Sequence, residues 1–154
     1  MEAAQNNIVC DTFVQAYNAR QQENAMLALN GWITRQPKWF EQSRIDIEDG
    51  HEGWMHLIDD VFTSAEQILS NNPGAFFKIT QIKEKLGALT IYFHQEGLPV
   101  GDVDRLRERK YTARAKSLHI CEICGAPAQF GGLDSCLSVR CKTCAPAGWL
   151  PIKR

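Results

Sequence analysis

Long apolar runs are missing from this chain of 154 residues. None approaches the roughly 20 residues that carry a helix across a bilayer, so no transmembrane helix is expected. The opening segment, Met1-Glu2-Ala3-Ala4-Gln5-Asn6-Asn7, has neither a basic stretch nor an apolar one. It does not read as a secretory signal, and a cytoplasmic, reducing location is expected. Histidine is scarce, with four in the chain and none between Cys124 and Cys141. A zinc-supported nuclease of the His-Asn-His kind would need catalytic histidines between or beyond its metal-binding turns, so that reading is disfavoured. His51 and His56 are five positions apart, about 140° on a helix, whereas the His-Glu-x-x-His metalloprotease motif needs four. Asp59 and Asp60 are neighbours and point about 100° apart, so they are no acid/base pair. No Ser/His/Asp order, glycine-rich phosphate loop, internal repeat or low-complexity tract is present. The chain is expected not to be an enzyme.

What the chain does have is cysteine in a pattern. Cys121-Glu122-Ile123-Cys124-Gly125 and Cys141-Lys142-Thr143-Cys144 form two Cys-x-x-Cys pairs with sixteen residues between them. That spacing fits a structural four-thiolate zinc site, in which two tight knuckles each aim two sulfurs at one ion. Disulfides and a thioredoxin-type redox pair are the competing readings. The first suits a secreted chain, and the second needs a single pair in a βαβ setting. Gly125 follows the second cysteine, where such a knuckle often needs positive φ. The second knuckle has Ala145-Pro146 there, and its path is harder to foresee. Cys10 and Cys136 fall outside the quartet and are expected to be buried thiols.

The formal net charge of −1 conceals an uneven distribution. Residues 1–100 hold 7 Lys/Arg against 13 Asp/Glu, a balance of −6, and residues 101–154 hold 10 against 5, a balance of +5. An acidic front therefore meets a basic, cysteine-bearing back. With 44% hydrophobic residues, including seven Phe and four Trp, the chain has enough apolar side chains for a real core.

Periodicity gives an α+β fold: helices packed on a small antiparallel hairpin or sheet, followed by a four-cysteine zinc ribbon-like module. Three segments are expected: a helical N-terminal part (1–48), an α+β core ending in a basic helix (49–118), and the metal module (119–154). Residues 8–35 read as helical but broken. Asp11 or Thr12 could cap the first piece, Phe13, Ala16 and Tyr17 mark its face, and Met26, Leu29 and Ile33 mark another face before the exit at Pro37. A connector follows, with a short strand near Ile45-Asp46-Ile47. The strongest helix spans 51–70, with Asp49 and Glu52 as a capping-box variant and Trp54, Leu57, Ile58, Val61, Phe62, Ala65, Ile68 and Leu69 in one arc. Asn71-Asn72-Pro73-Gly74 stops it. Phe76–Ile82 and Ala88–Phe93 read as strands joined at Gly87 into a hairpin. A helix from Gly101-Asp102 to Leu118 carries a stripe of Val103, Leu106, Ala113 and Ser117, widened by Tyr111 and Leu118. Arg107, Lys110 and Arg114 intrude on that stripe.

Three motifs together bring a resemblance. Gly53-Trp54 follows Asp49-Gly50. Next comes Gln81-Ile82-Lys83-Glu84-Lys85-Leu86-Gly87-Ala88-Leu89-Thr90-Ile91-Tyr92-Phe93. Ala115-Lys116-Ser117-Leu118 then leads into Cys121-Glu122-Ile123-Cys124-Gly125-Ala126-Pro127. Over residues 49–146 the chain resembles a group of small bacterial proteins of phages, prophages and other mobile elements. Their second metal pair is often Cys plus His, where this chain has Cys141 and Cys144. The resemblance implies a context of accessory genes and phage–host conflict, and no activity.

Two functions are expected to compete. In the first, the chain is a non-enzymatic, zinc-stabilised regulator, inhibitor or immunity-type factor that occludes a protein partner. Ile123, Phe130, Leu133 and Leu137 would offer it an apolar docking face. In the second, it is a nucleic-acid-binding zinc-ribbon regulator using the basic helix 101–118. Arg105, Arg107, Arg109, Lys110, Arg114, Lys116, Arg140 and Lys142 would then meet phosphates, with Tyr111, Phe130 and Trp149 available for stacking. Removing the metal is expected to loosen the C-terminal module and spare residues 51–93.

Overall fold

The computed structural model describes residues 29–47 and 50–153. The expectations for Cys10, for the capping and facing residues of 8–28, and for Asp49 lie outside those residues. The first described element, α1, is helical over residues 29–35. A 3₁₀ turn at Pro37–Phe40 follows, as Pro37 requires, because proline cannot continue the helix. The chain then enters β1 (Arg44–Asp46), a second 3₁₀ turn (Glu52–Trp54) and helix α2 (Met55–Ser70). After α2 come the hairpin strands β2 (Phe76–Lys85) and β3 (Ala88–Glu96), and then the basic helix α3 (Val100–Ser117). Strands β4 (Gln129–Leu133), β5 (Cys136–Arg140) and β6 (Leu150–Pro151) complete the chain.

The first sheet has the order β1-β2-β3. Its hairpin is antiparallel as the sequence pattern requires, but β1 adds to β2 in parallel, with Ile45 opposite Ile82. Three residues with one apolar position leave almost no periodic signal, which is why β1 reads as little more than a connector. The two-residue turn Leu86-Gly87 has φ of 53° and 78°. Positive φ at both positions is the turn geometry whose twist matches that of paired strands. On β2, Phe77, Ile79 and Ile82 are all buried although Ile79 and Ile82 are three apart. A register shift between Ile79 and Gln81 inserts one extra residue and resets the alternation.

An aromatic chain links the layers. Phe62 of α2 meets Trp32, Trp39 and Phe40 edge-on at centroid distances of 5.6, 6.4 and 5.6 Å. Trp39 in turn lies 4.9 Å from Phe77 on β2. Edge-to-face contacts of this kind add to the gain from apolar burial. Every residue expected on the inner arc of α2 is buried apart from the half-buried Leu69, and His56, Asp59, Asp60, Thr63 and Gln67 are exposed. Asp59 is not idle, because its carboxylate accepts the indole N–H of Trp32 at 2.6 Å.

The start of α2 differs from the capping-box expectation. Regular α-helix begins at Met55 and not near His51, and the Glu52 carboxylate accepts the Gly50 N–H at 2.9 and 3.0 Å through its two oxygens. In α3, Leu106, Ala113 and Ser117 are buried and Val103 and Leu118 are half-buried. Tyr111 does not widen that stripe, being 61% exposed. The Ser117 hydroxyl accepts the Leu89 N–H at 2.9 Å and donates to the Arg114 carbonyl at 2.6 Å, which ties α3 to β3.

Candidate metal centre

The last turn of α3 leads through an isolated bridge between Ile120 and Pro127 into the first knuckle. There the Cys121 N–H donates to the Ala126 carbonyl at 2.7 Å and the Gly125 N–H donates to the Cys121 carbonyl at 2.9 Å. Gly125 has the positive φ its position requires, at 77°. The second knuckle repeats the bond: Ala145 N–H to Cys141 carbonyl, also 2.9 Å. Ala145 makes it without positive φ, so this turn has no need of glycine. A second sheet of order β5-β4-β6 holds the two knuckles in place.

The Sγ atoms of Cys121, Cys124, Cys141 and Cys144 all lie within 4.8 Å of one another, with Cys124 and Cys141 3.7 Å apart. Four sulfurs at the corners of a tetrahedron around zinc, each about 2.3 Å from the ion, would be about 3.8 Å apart. The donor set and its spacing therefore fit a metal ion, and among the described residues this is the cluster of His, Cys, Asp and Glu side chains that could hold one. Cys121 is buried and the other three are half-buried. Burial and the neighbouring sulfurs push the Cys124 and Cys144 thiols up. Burial acts the same way on Cys141, but hydrogen bonds from Cys144 and the other thiols outweigh it and bring Cys141 down. Four crowded sulfurs resist ionising together, and a cation among them relieves that repulsion.

The knuckle is also built into the core. The indole N–H of Trp54, 0% exposed, donates to the Ile120 carbonyl at 3.0 Å. Gly53 donates its N–H to the Glu122 carbonyl at 2.8 Å. Glu122, between the first two cysteines, is buried, takes the Arg140 guanidinium at 2.9 Å and accepts the Val139 N–H at 3.3 Å. Burial raises the Glu122 carboxyl, against the pull of Arg140. Sequence reasoning missed these ties. Their only linear trace is that Gly53-Trp54 and Cys121-Glu122 occur in the same set of motifs.

Other expected candidates fall elsewhere. Cys136 is exposed, not buried, because it opens β5 at the far end of the β4–β5 hairpin from the cysteine cluster. His56 and His119 are exposed, His94 pairs with Glu96 at 2.9 Å, and the His51 ring lies 5.2 Å from that of Trp54, tilted by 42°. The apolar face expected of the ribbon is partly used internally. Phe130 and Leu137 lie against Gly87 of the hairpin turn, Ile123 lies beside Gly50, and Leu133 beside Gly148.

The eight cations separate into groups. Arg105 pairs with Asp102 at 2.8 Å, Arg107 with Asp104 at 3.9 Å and Arg140 with Glu122. Arg109 and Lys116 line a small cleft together with Asp60 of α2, and Lys142 is exposed. Lys110 and Arg114 lie along β3, where Lys110 is 5.9 Å above the Tyr92 ring and Arg114 donates to the Thr90 hydroxyl. Lys83 and Lys85 of β2 join them there: Lys83 is 5.6 Å over Tyr92, and Lys85 is 3.5 Å from its hydroxyl. These two lysines and Tyr92 were not foreseen as site residues, although their alternation on the hairpin strands places them on the outer face. Among protein-family models, curated proteins and solved structures, none matches the chain.

Proposed function

We propose that the chain is a zinc-stapled binding factor without catalysis of its own. In this reading it serves as an accessory regulator or an inhibitor/immunity-type protein of a phage or mobile element, working in the cytoplasm. The observation that carries the proposal is the four-sulfur cluster itself. An all-cysteine tetrahedron leaves zinc no open position for water or substrate, so the ion braces the fold. What it braces is the joint between α3, the first knuckle and the start of α2, where Trp54 and Gly53 are anchored.

The partner such a factor holds is read from its surfaces. Lys110 and Arg114, which pair with no carboxylate among the described residues, support nucleic acid. Support for a protein partner comes from a cleft of about 400 Å³ lined by Phe130 and Ile152 of the metal module, whose chain neighbour Leu150 is exposed.

Metal analysis of the purified chain tests the proposal. One zinc per chain is expected, and cobalt substitution should give the intense visible bands of a tetrahedral tetrathiolate. Cys124→Ser should reduce both. Substoichiometric metal in freshly purified protein, or zinc-dependent cleavage of a phosphodiester that Cys121→Ser abolishes, would overturn it.

A further inference from the structure

We infer that the seam between β3 and α3 is a binding track for single-stranded nucleic acid. This rests on the reading of the chain as a metal-stapled binding factor and names the partner of that factor.

Two clefts lie end to end along the seam and share Lys110. One, of about 260 Å³, is lined by Lys85, Lys110 and Arg114 with Tyr92 and Tyr111. The other, of about 230 Å³, is lined by Lys110 and Arg107 with Phe93 and His94. Arg107, Lys110 and Arg114 succeed one another on one side of α3. At about 1.5 Å of rise per residue they span about 10 Å, a line of positive charge and not a point. Such a line suits a polyanion with regularly repeated charges.

The charge is available. Among the described residues, no carboxylate lies within ion-pair distance of Lys83, Lys85, Lys110 or Arg114, whereas Arg105 and Arg140 are neutralised. Among the acids paired with residues lining the track, Asp104 lies 3.9 Å from Arg107 and Glu96 holds His94. Both belong to the Arg107 end, so the Lys85–Arg114 end is the stronger anion site. Glu84, on the adjacent strand, is turned to the Gly87 N–H.

Rings sit among these cations. Lys110 lies 5.9 Å from the Tyr92 ring, 5.1 Å from Phe93 and 5.2 Å from Tyr111. Tyr111 is exposed and Tyr92 half-buried, while Phe93 packs toward the core. Cations beside accessible rings such as the two tyrosines are the arrangement that holds unstacked bases while the backbone follows the charge. Paired bases in a duplex are already stacked and would not use the rings, so the single strand is favoured over the duplex. An acidic polypeptide would use the cations alone.

The test uses the full-length, zinc-loaded chain and fluorescence anisotropy with a short labelled DNA strand, the same strand as RNA, and its duplex. Single strands should bind more tightly than the duplex. For three phosphate contacts, the log–log salt slope should be about −2 between about 50 and 200 mM salt. Lys85→Ala/Lys110→Ala/Arg114→Ala should lose about tenfold or more in affinity and most of that slope. Because Arg114 also bonds Thr90, Lys85→Glu/Lys110→Glu serves as a second variant and should do the same. Tyr92→Ala should weaken binding without altering the slope, and Tyr92→Phe should retain it. The charge-matched Arg105→Ala/Arg109→Ala/Lys142→Ala should stay within about twofold of the parent.

No binding of either strand by protein holding a full complement of zinc would overturn the track and leave the binding-factor reading standing. Protein that never holds zinc would sink that reading instead. Equal losses in the seam variant and the charge-matched control, a preference for duplex, or tighter binding of polyglutamate than of oligonucleotide would each also overturn the track.

Discussion

The backbone N–H of Gly53 donates to the carbonyl of Glu122 at 2.8 Å, joining the entrance of α2 to the middle of the first Cys-x-x-Cys knuckle. A Cβ on Gly53 would run into the Cys121 carbonyl oxygen and come 2.5 Å from the Gly125 nitrogen. Those atoms are backbone and cannot swing aside. Gly53→Ala should therefore cost about 3 kcal/mol or more, since overpacking a rigid contact is felt in full. It should also weaken metal binding, because the backbone displaced is that of the knuckle bearing Cys121 and Cys124. Denaturant unfolding and zinc competition with a chromophoric chelator measure both. A variant with unchanged zinc affinity would show that knuckle and helix are independent.

Trp54 should report on the metal. Its indole bonds the Ile120 carbonyl, one residue before Cys121, and Trp149 bonds Ser138 inside the metal module at 2.9 Å. Trp32 and Trp39 instead stack on each other, 6.0 Å apart, in the aromatic chain. Fluorine NMR of fluorotryptophan-labelled protein should show the Trp54 and Trp149 resonances moving on chelation while those of Trp32 and Trp39 stay near their places. The hydrogen bonds from Gly53 and Trp54 to the knuckle predict that residues 52–54 respond to chelation while the rest of α2 stays in place.

Glu122→Ala should cost about 3 kcal/mol, since it leaves the Arg140 charge and the Val139 N–H without their partner at a buried site. Glu122→Gln keeps an acceptor for Val139 and should lose less. Thermal unfolding of the two zinc-loaded variants separates the contributions. Equal losses would assign the whole effect to charge.

Leu86 sits at the first turn position of the β2–β3 hairpin with φ of 53° and 60% of its surface exposed. A leucine pays for that backbone without comparable burial, whereas asparagine adopts it readily. Leu86→Asn should stabilise the protein by about 0.5–1 kcal/mol, read from the denaturation midpoint at unchanged slope. At the next position Gly87→Ala should do the reverse. Its φ of 78° excludes a side chain, and a Cβ there would come 2.5 Å from the Phe130 ring.

Local pattern alone carried much of this protein. The arc from Trp54 to Leu69 made α2 legible, the alternation of Leu89, Ile91 and Phe93 around Gly87 made the hairpin legible, and the spacing of four cysteines brought out the cluster. Each depends on residues close in sequence, where period and covalent reach dictate geometry. Tertiary structure decided what no local period encodes. It placed β1 beside β2 in parallel, closed Gly53 and Trp54 onto the knuckle across nearly seventy residues, and exposed Cys136. It also sorted eight cations into paired and unpaired ones. Whether a charge is neutralised depends on which carboxylate the fold brings within about 4 Å of it, and that distance is set only when the sheets and helices pack.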